Sequence, residues 1–125
     1  MSTHWNDSQP IYWQLKERTV AMILDGTLAE GEPLPSVRTV ASDFQLNPIT
    51  VSKSYQSLVD DGLVEKRRGL GMFVREGARK QLIASERAKF LNEEWPAMLA
   101  RIEQLGLSID ELADLSPNEK KGSDS

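Results

Sequence analysis

A chain of 125 residues without cysteine has room for one ordinary domain, or a small domain with an appendage, and excludes disulfides, thiolate metal sites and thiol catalysis. With one histidine, and with Asp60-Asp61 and Glu93-Glu94 as sequence neighbours that point apart on predicted helices, neither an enzyme nor a metal or cofactor site is expected. The formal charge of −4 runs against nucleic-acid binding, but residues 62 to 75 carry four cations against Glu65, a local +3 that leaves −7 for the rest.

Met1 to Asp7 lacks the pattern of a signal peptide, and no apolar run approaches the roughly 20 residues that span a bilayer, so a cytoplasmic protein with no membrane partner is the simplest expectation. Residues 1–9 read as a polar arm. Trp5 can fold back onto the domain that follows, and His4 reads as a solvated or packing residue. Pro10 suits position N1 of a helix, with Ser8 or Gln9 ahead of it. Ile11, Leu15, Met22 and Ile23 fall near one face of that helix, Tyr12, Thr19 and Leu24 widen the stripe, and Gly26 ends it. Trp13 falls off the stripe and is left to its edge, a neighbouring domain or a partner subunit. Residues 27–34, with Glu30, Gly31, Glu32 and Pro33, form a turn-rich connection and not a helix.

Ser36 can accept from the free N–H groups of a second helix, in which Val37, Val40, Ala41 and Phe44 repeat with helical spacing. After a turn at Gln45-Leu46, Asn47 caps a third helix and Pro48 takes its N1 position. Val51, Tyr55, Leu58 and Val59 face inward, and Gly62 stops the helix in the left-handed conformation. A short break between two such helices is helix-turn-helix geometry. Leu63-Val64-Glu65 and Met72-Phe73-Val74 are strand-prone runs about Lys66-Arg67-Arg68-Gly69-Leu70-Gly71, which predicts a hairpin with a cationic tip, a wing.

Such a motif reads DNA with side chains near the start of its second helix, where base edges and phosphates come within reach in the major groove. Asn47, Thr50, Ser52, Lys53 and Gln56 lie opposite or beside the inward face. Lys53 is the expected phosphate anchor, Ser52 and Ile49 reach base edges, and Asn47 has capping as its plain alternative. Ser36 and Thr39 can donate to phosphate or serve only as cap and surface. Arg67 and Arg68 at the hairpin tip enter the minor groove or pair with phosphates, while Gly69 and Gly71 permit the turn. A solvated face is the bland reading of the helix alone, and the second cationic element at the same end favours the functional one. Tyr55 reads as core with its hydroxyl at the surface.

Pro10-Ile11-Tyr12, Leu34-Pro35-Ser36-Val37-Arg38, Asn47 to Leu58, Gly62-Leu63-Val64 and Gly69-Leu70-Gly71-Met72-Phe73-Val74 fall in an order and spacing, over roughly sixty-five residues, that resembles the GntR family of bacterial transcription regulators. The resemblance implies a DNA contact by Arg38, whose plain alternative is a surface salt bridge with Asp43 or another acid. It also implies a short extended piece within residues 27–34 beside the wing, anchored by Leu28 and Leu34. Family members often carry arginine or serine between the wing glycines, where this chain has Leu70.

Beyond the Glu76-Gly77-Ala78 linker, residues 79–106 read as largely helical. Leu91, Trp95, Met98, Ile102 and Leu105, at spacings of 4, 3, 4 and 3, form a heptad-like seam that needs a partner. Pro96 should kink this helix, the favoured expectation, or stand at N1 of a fresh one, which Glu93 and Glu94 would suit. Past Gly106, a capping box of Ser108 and Glu111 opens a last helix through Leu115. Ile109, Leu112 and Leu115 are its expected buried contacts in an antiparallel pair. Residues 116–125 have nothing to bury and should be disordered.

The expected fold class is mainly α with a small β-hairpin wing, a winged helix-turn-helix followed by a two-helix dimerisation appendage. Its parts are an N-terminal arm (1–9), a DNA-binding domain (10–76), the helical dimerisation domain (77–115), too small for an effector cavity, and a tail (116–125). The expected function is a homodimeric, sequence-specific regulator of transcription that binds double-stranded DNA at an inverted repeat and represses by occupying it. The short helical tail is similar to that of YtrA-like regulators, which implies repression of a membrane-transport operon. A winged-helix module for protein contact, and a sensor of an unknown small-molecule effector seated between the two domains, are the alternatives.

Overall fold

Helix α1, Ile11–Asp25, opens the fold in a computed structural model that describes residues 5–115, so His4 and the 116–125 tail lie outside the described residues. Pro10 is the N-cap, not N1. Its φ of −58° suits either place, and the extended ψ of 145° puts it outside the helix. Gln14 completes this start by donating to the carbonyls of Asn6 and Gln9 and accepting from the Asn6 N–H. Leu15, Thr19 and Ile23 are the buried positions of α1, whereas Ile11 and Met22 are exposed. A repeat of four residues selects a narrower face than the expected stripe. Thr19 enters the core because its hydroxyl donates to the Leu15 carbonyl at 3.0 Å. Trp5 does fold back, edge-on to Phe44 with ring centroids 6.1 Å apart, and Arg18 lies over its ring.

Helix α2, Val37–Phe44, starts as its sequence requires, with Ser36 Oγ accepting from the Thr39 N–H at 3.0 Å. Gln45 turns the chain at a φ of 56°, and Asn47 then caps α3, Pro48–Asp60, by accepting from the Ile49 N–H. Gly62, at a φ of 78°, donates to the Val59 carbonyl while Leu63 donates to that of Leu58, the paired bonds of a Schellman ending. Val51, Ser54, Tyr55 and Leu58 form the buried face of α3. Ser54 falls on it by the same i, i+3, i+4, i+7 spacing that places its apolar neighbours. The Tyr55 hydroxyl is not at the surface: it donates to the Pro35 carbonyl at 2.7 Å, and burial pushes its pKa up to about 12.

Strands β1, Val64–Arg67, and β2, Gly71–Val74, pair antiparallel from Val64 with Val74 to Arg67 with Gly71. Pairing reaches further toward the tip than the apolar runs suggest, so Lys66 and Arg67 belong to a strand. The connection before α2 lies along the other edge of β2. Leu34 donates to the Met72 carbonyl at 2.8 Å, Val74 to that of Glu32 at 2.9 Å, and Pro33 bridges Phe73. Leu34 is buried there and Leu28 packs partly against the core. A single core joins Leu15 and Ile23 of α1, Val40 of α2, Val51 and Leu58 of α3, Val64 and Val74 of the hairpin, and Ala78 and Leu82 of α4, Ala78–Lys89.

The start of α4 has a cap drawn from far away in sequence. The Glu30 carboxylate accepts from the Arg79 N–H at 3.1 Å, and Arg79 Nε donates to the Leu24 carbonyl at 2.8 Å. The backbone N–H groups of Gly77 and Arg79 hold the Glu30 carboxyl below its ordinary range. A depressed carboxyl stabilises the fold above its unfolded pKa and loses that contribution as pH falls through the folded one. Thermal melts of wild type and Glu30→Gln at neutral pH and at about pH 3 should therefore differ, with the variant losing less of its midpoint on acidification.

The chain divides into two compact units between Ala84 and Ser85, within α4. In the second unit, Phe90–Glu94 is a π-helical turn leading into α5, Trp95–Gln104. Pro96 offers no N–H to the preceding turn and its ring crowds the carbonyl four residues back. The helix answers by widening upstream, with Trp95 donating to the Phe90 carbonyl, and the backbone stays helical through Glu94 and Trp95. The outcome is a change of helix type and not a break. Phe90 stacks on Trp95 across this turn at 6.3 Å. Helix α6, Ile109–Asp114, has the expected capping box, but of its expected buried contacts only Leu112 is half-buried, while Ile109 and Leu115 are exposed. Among the described residues of α5 and α6 no side chain is buried, because two short helices enclose no interior.

Candidate nucleic-acid interface

Helix α3 divides cleanly. Ile49, Ser52, Lys53 and Gln56 are exposed, at the same i, i+3, i+4, i+7 spacing as the buried face and opposite to it. Ile49 is 75% exposed, so most of its side chain stands in water on this face. Thr50 is half-buried, and the Asn47 side-chain oxygen is committed to its cap. Gln56 donates to Asp60 on the same helix. The Lys53 ammonium lies 4.2 Å from the centre of the Tyr12 ring, a cation–π contact that joins α1 to the exposed face of α3.

The start of α2 lies beside the turn. Ser36 accepts from the Thr39 N–H and gives its own proton to Thr39 Oγ1 at 2.9 Å, which leaves the Thr39 hydroxyl as the free donor of the two. Arg38 is exposed, and among the described residues it has no ion pair, with Asp43 or any other acid. With Ser42, Leu46 and Pro48 it lines an open groove at the turn.

At the wing the two arginines part company. Arg67 is strand-bound: its Nε donates to Glu65 at 2.8 Å and its guanidinium lies 4.1 Å from the centre of the Phe73 ring. The expectation of Arg67 at the tip is therefore corrected, since its cross-strand pairing with Gly71 and these two partners hold it along the strand. Arg68 is exposed at the tip. Among the described residues neither Arg68 nor Lys66 has an ion pair. Gly69, at a φ of 77°, supplies the left-handed turn residue, and the Leu70 N–H closes the turn on the Arg67 carbonyl at 2.8 Å.

Sequence reasoning missed Tyr12, Phe73 and Glu65 as partners of the cations. Tyr12 and Phe73 come from other elements, so no local pattern marks them, whereas Glu65 stands two residues before Arg67 on the same strand, a spacing that puts both side chains on one face. Of the seam residues, Trp95 and Ile102 are half-buried, and Leu91, Met98 and Leu105 are exposed. Trp95, Met98, Ile102 and Leu105 line an apolar groove of about 430 Å³ with Leu107, Ile109 and Leu112, which Leu91 does not line. Among the described residues no three His, Cys, Asp or Glu side chains gather to hold a metal, and no helix is long and apolar enough to cross a membrane.

These features have counterparts in known proteins. Residues 11–74 match the model of the bacterial regulatory proteins, gntR family. The HTH-type transcriptional repressor YtrA of Bacillus subtilis is 31% identical over 105 residues, which cover 84% of this chain and 80% of that protein. A GntR family transcriptional regulator from Listeria monocytogenes superposes with a TM-score of 0.71 at 28% identity, over 89% of this chain and 96% of that one. The DNA-binding domain of AraR, solved in complex with its operator ORX1, superposes with a TM-score of 0.52 at 25% identity, over 59% of this chain and 90% of that one. The match spans both helices of the reading motif and the whole wing, and the chain belongs to the gntR family of bacterial regulatory proteins, among its YtrA-like regulators.

Proposed function

We propose that the protein is a transcriptional repressor that binds double-stranded DNA as a homodimer, at an inverted-repeat operator. The observation that carries this reading is the set of exposed cations Arg38, Lys53 and Arg68, each from a different element of a helix-turn-helix with its wing. AraR's capture on an operator supports the same use of the shared domain. Helix α3 lies in the major groove, with Ile49 and Ser52 against base edges. Arg38, Thr39 and Lys53 take phosphates beside it, and Arg68 with the Gly69 turn meets the flanking backbone. The groove lined by Trp95, Met98, Ile102 and Leu105 is the dimer face. It sets the distance between half-sites and raises the effective concentration of the second reader once the first is bound. By its resemblance to the YtrA-like regulators, the proposed target is a transport operon, with repression by occupation of its promoter.

Fluorescence anisotropy against a selected duplex at several salt concentrations tests this. Arg68→Ala and Lys53→Ala should each weaken binding to all sequences alike and lower the slope of log affinity on log salt by about one. Ser52→Ala should instead narrow the gap between operator and unrelated DNA. Absence of sequence-preferring binding at low salt would overturn the reading in favour of a protein-contact module.

A further inference from the structure

The paired strands of the wing end at Arg67 and Gly71, so Arg68, Gly69 and Leu70 alone lie beyond them. Gly69 and Gly71 take φ values of 77° and 114°, with open space where a Cβ would sit, and the backbone on either side of Leu70 is therefore bare. The tip thus presents two side chains, one cationic and one aliphatic. Leu70 is 71% exposed and contributes nothing to the core. A lone exposed leucine is ordinary on a protein surface. This one stands out by its setting, because Lys66, Arg67 and Arg68 precede it directly, and charges that draw in a polyphosphate bring the leucine against it as well.

We infer that Leu70 is a specificity-determining residue, one that meets the floor of the DNA minor groove and rejects base pairs containing guanine. The inference rests on the DNA-binding reading above and names what its wing recognises. A·T and T·A pairs show the minor groove only the acceptors adenine N3 and thymine O2, whereas G·C adds the guanine 2-amino donor. An isobutyl group pressed onto that floor displaces the water on the amine and offers no acceptor in return. The donor is left buried and unsatisfied, a cost that A·T pairs do not incur. A serine in the same place could accept from the amine and would lack this bias.

The test uses the full chain and a duplex selected from a random-sequence pool. Because the chain has no cysteine, an iron chelate tethered through Leu70→Cys can mark by cleavage the base pairs under the wing. Each A·T pair found there is then replaced by G·C, and by inosine·cytosine, which lacks only the 2-amino group. For the wild type, G·C should weaken binding about tenfold and inosine·cytosine should restore it. For Leu70→Ser, whose fold is checked by circular dichroism, the G·C penalty should shrink to about twofold or less. Inosine·cytosine as weak as G·C, or an undiminished penalty in Leu70→Ser, overturns the inference while leaving the DNA-binding reading intact. Failure to select any duplex overturns both.

Discussion

Replacing Met98 and Ile102 with glutamate is expected to yield a monomer whose winged domain is still folded and whose operator affinity falls by about a hundredfold or more. Met98 is 51% exposed and Ile102 half-buried, and both line the apolar groove of the second unit. Helices α5 and α6 bury none of their own side chains, so most of the apolar area they contribute can leave water only against another surface. In the proposed dimer, a second copy of the same groove would bring the complementary apolar face. Two carboxylates placed within it would be desolvated without partners, at a cost of several kcal/mol each. Half-sites would then bind singly, without the gain of a tethered second reader, which is commonly a factor of 10² to 10⁴. Sedimentation equilibrium and anisotropy on the same samples decide the matter. A variant that stays dimeric, or a monomer that binds as tightly as the native chain, would remove the groove from the mechanism.

The second large effect is on stability. Leu58→Ala should cost about 2–5 kcal/mol, since the side chain is fully buried in a core with contributions from every element of the winged domain. A unit of 84 residues has roughly 4–12 kcal/mol in total, so this one change removes a large share. Leu58 has a second task, because its carbonyl accepts from the Leu63 N–H where α3 hands over to the wing. Urea unfolding followed by circular dichroism gives the comparison with Ile49→Ala, which should change stability by less than about 0.5 kcal/mol. Equal costs at the two positions would mean that Leu58 is not the core residue described above.

What could be read from the sequence was the chemistry that completes itself within a few residues. Ser36, Asn47 with Pro48, Gly62, and Ser108 with Glu111 each declare a helix end by satisfying backbone groups nearby, and the structure places those ends accordingly. What could not be read was settled across distance. Arg67 is held along its strand by its register with Gly71 and by the Phe73 ring across the hairpin. Glu30 reaches Arg79, Tyr55 reaches Pro35, and Lys53 lies over Tyr12, and no periodicity announces any of these. Pro96 stood in plain view, but its effect was displaced upstream, into the turn at Phe90–Glu94. For the candidate site, exposure of the cations was legible from the faces of the helices, whereas their commitment to other side chains was not.

The short run from Gly31 to Ser36 has a consequence for how a duplex must be met. It is hydrogen-bonded to β2 through Glu32 and Leu34, its Pro35 carbonyl takes the Tyr55 hydroxyl from α3, and it ends as the cap of α2. The wing and both helices of the reading motif are thereby clamped to one strip of backbone. For any one of the three to swing alone toward a groove of another width, some of these hydrogen bonds would have to break. Where spacing on the duplex departs from spacing on the protein, bending or twisting of the DNA is the alternative to breaking those bonds, and the stiffness of uncontacted base steps would then enter what the domain selects.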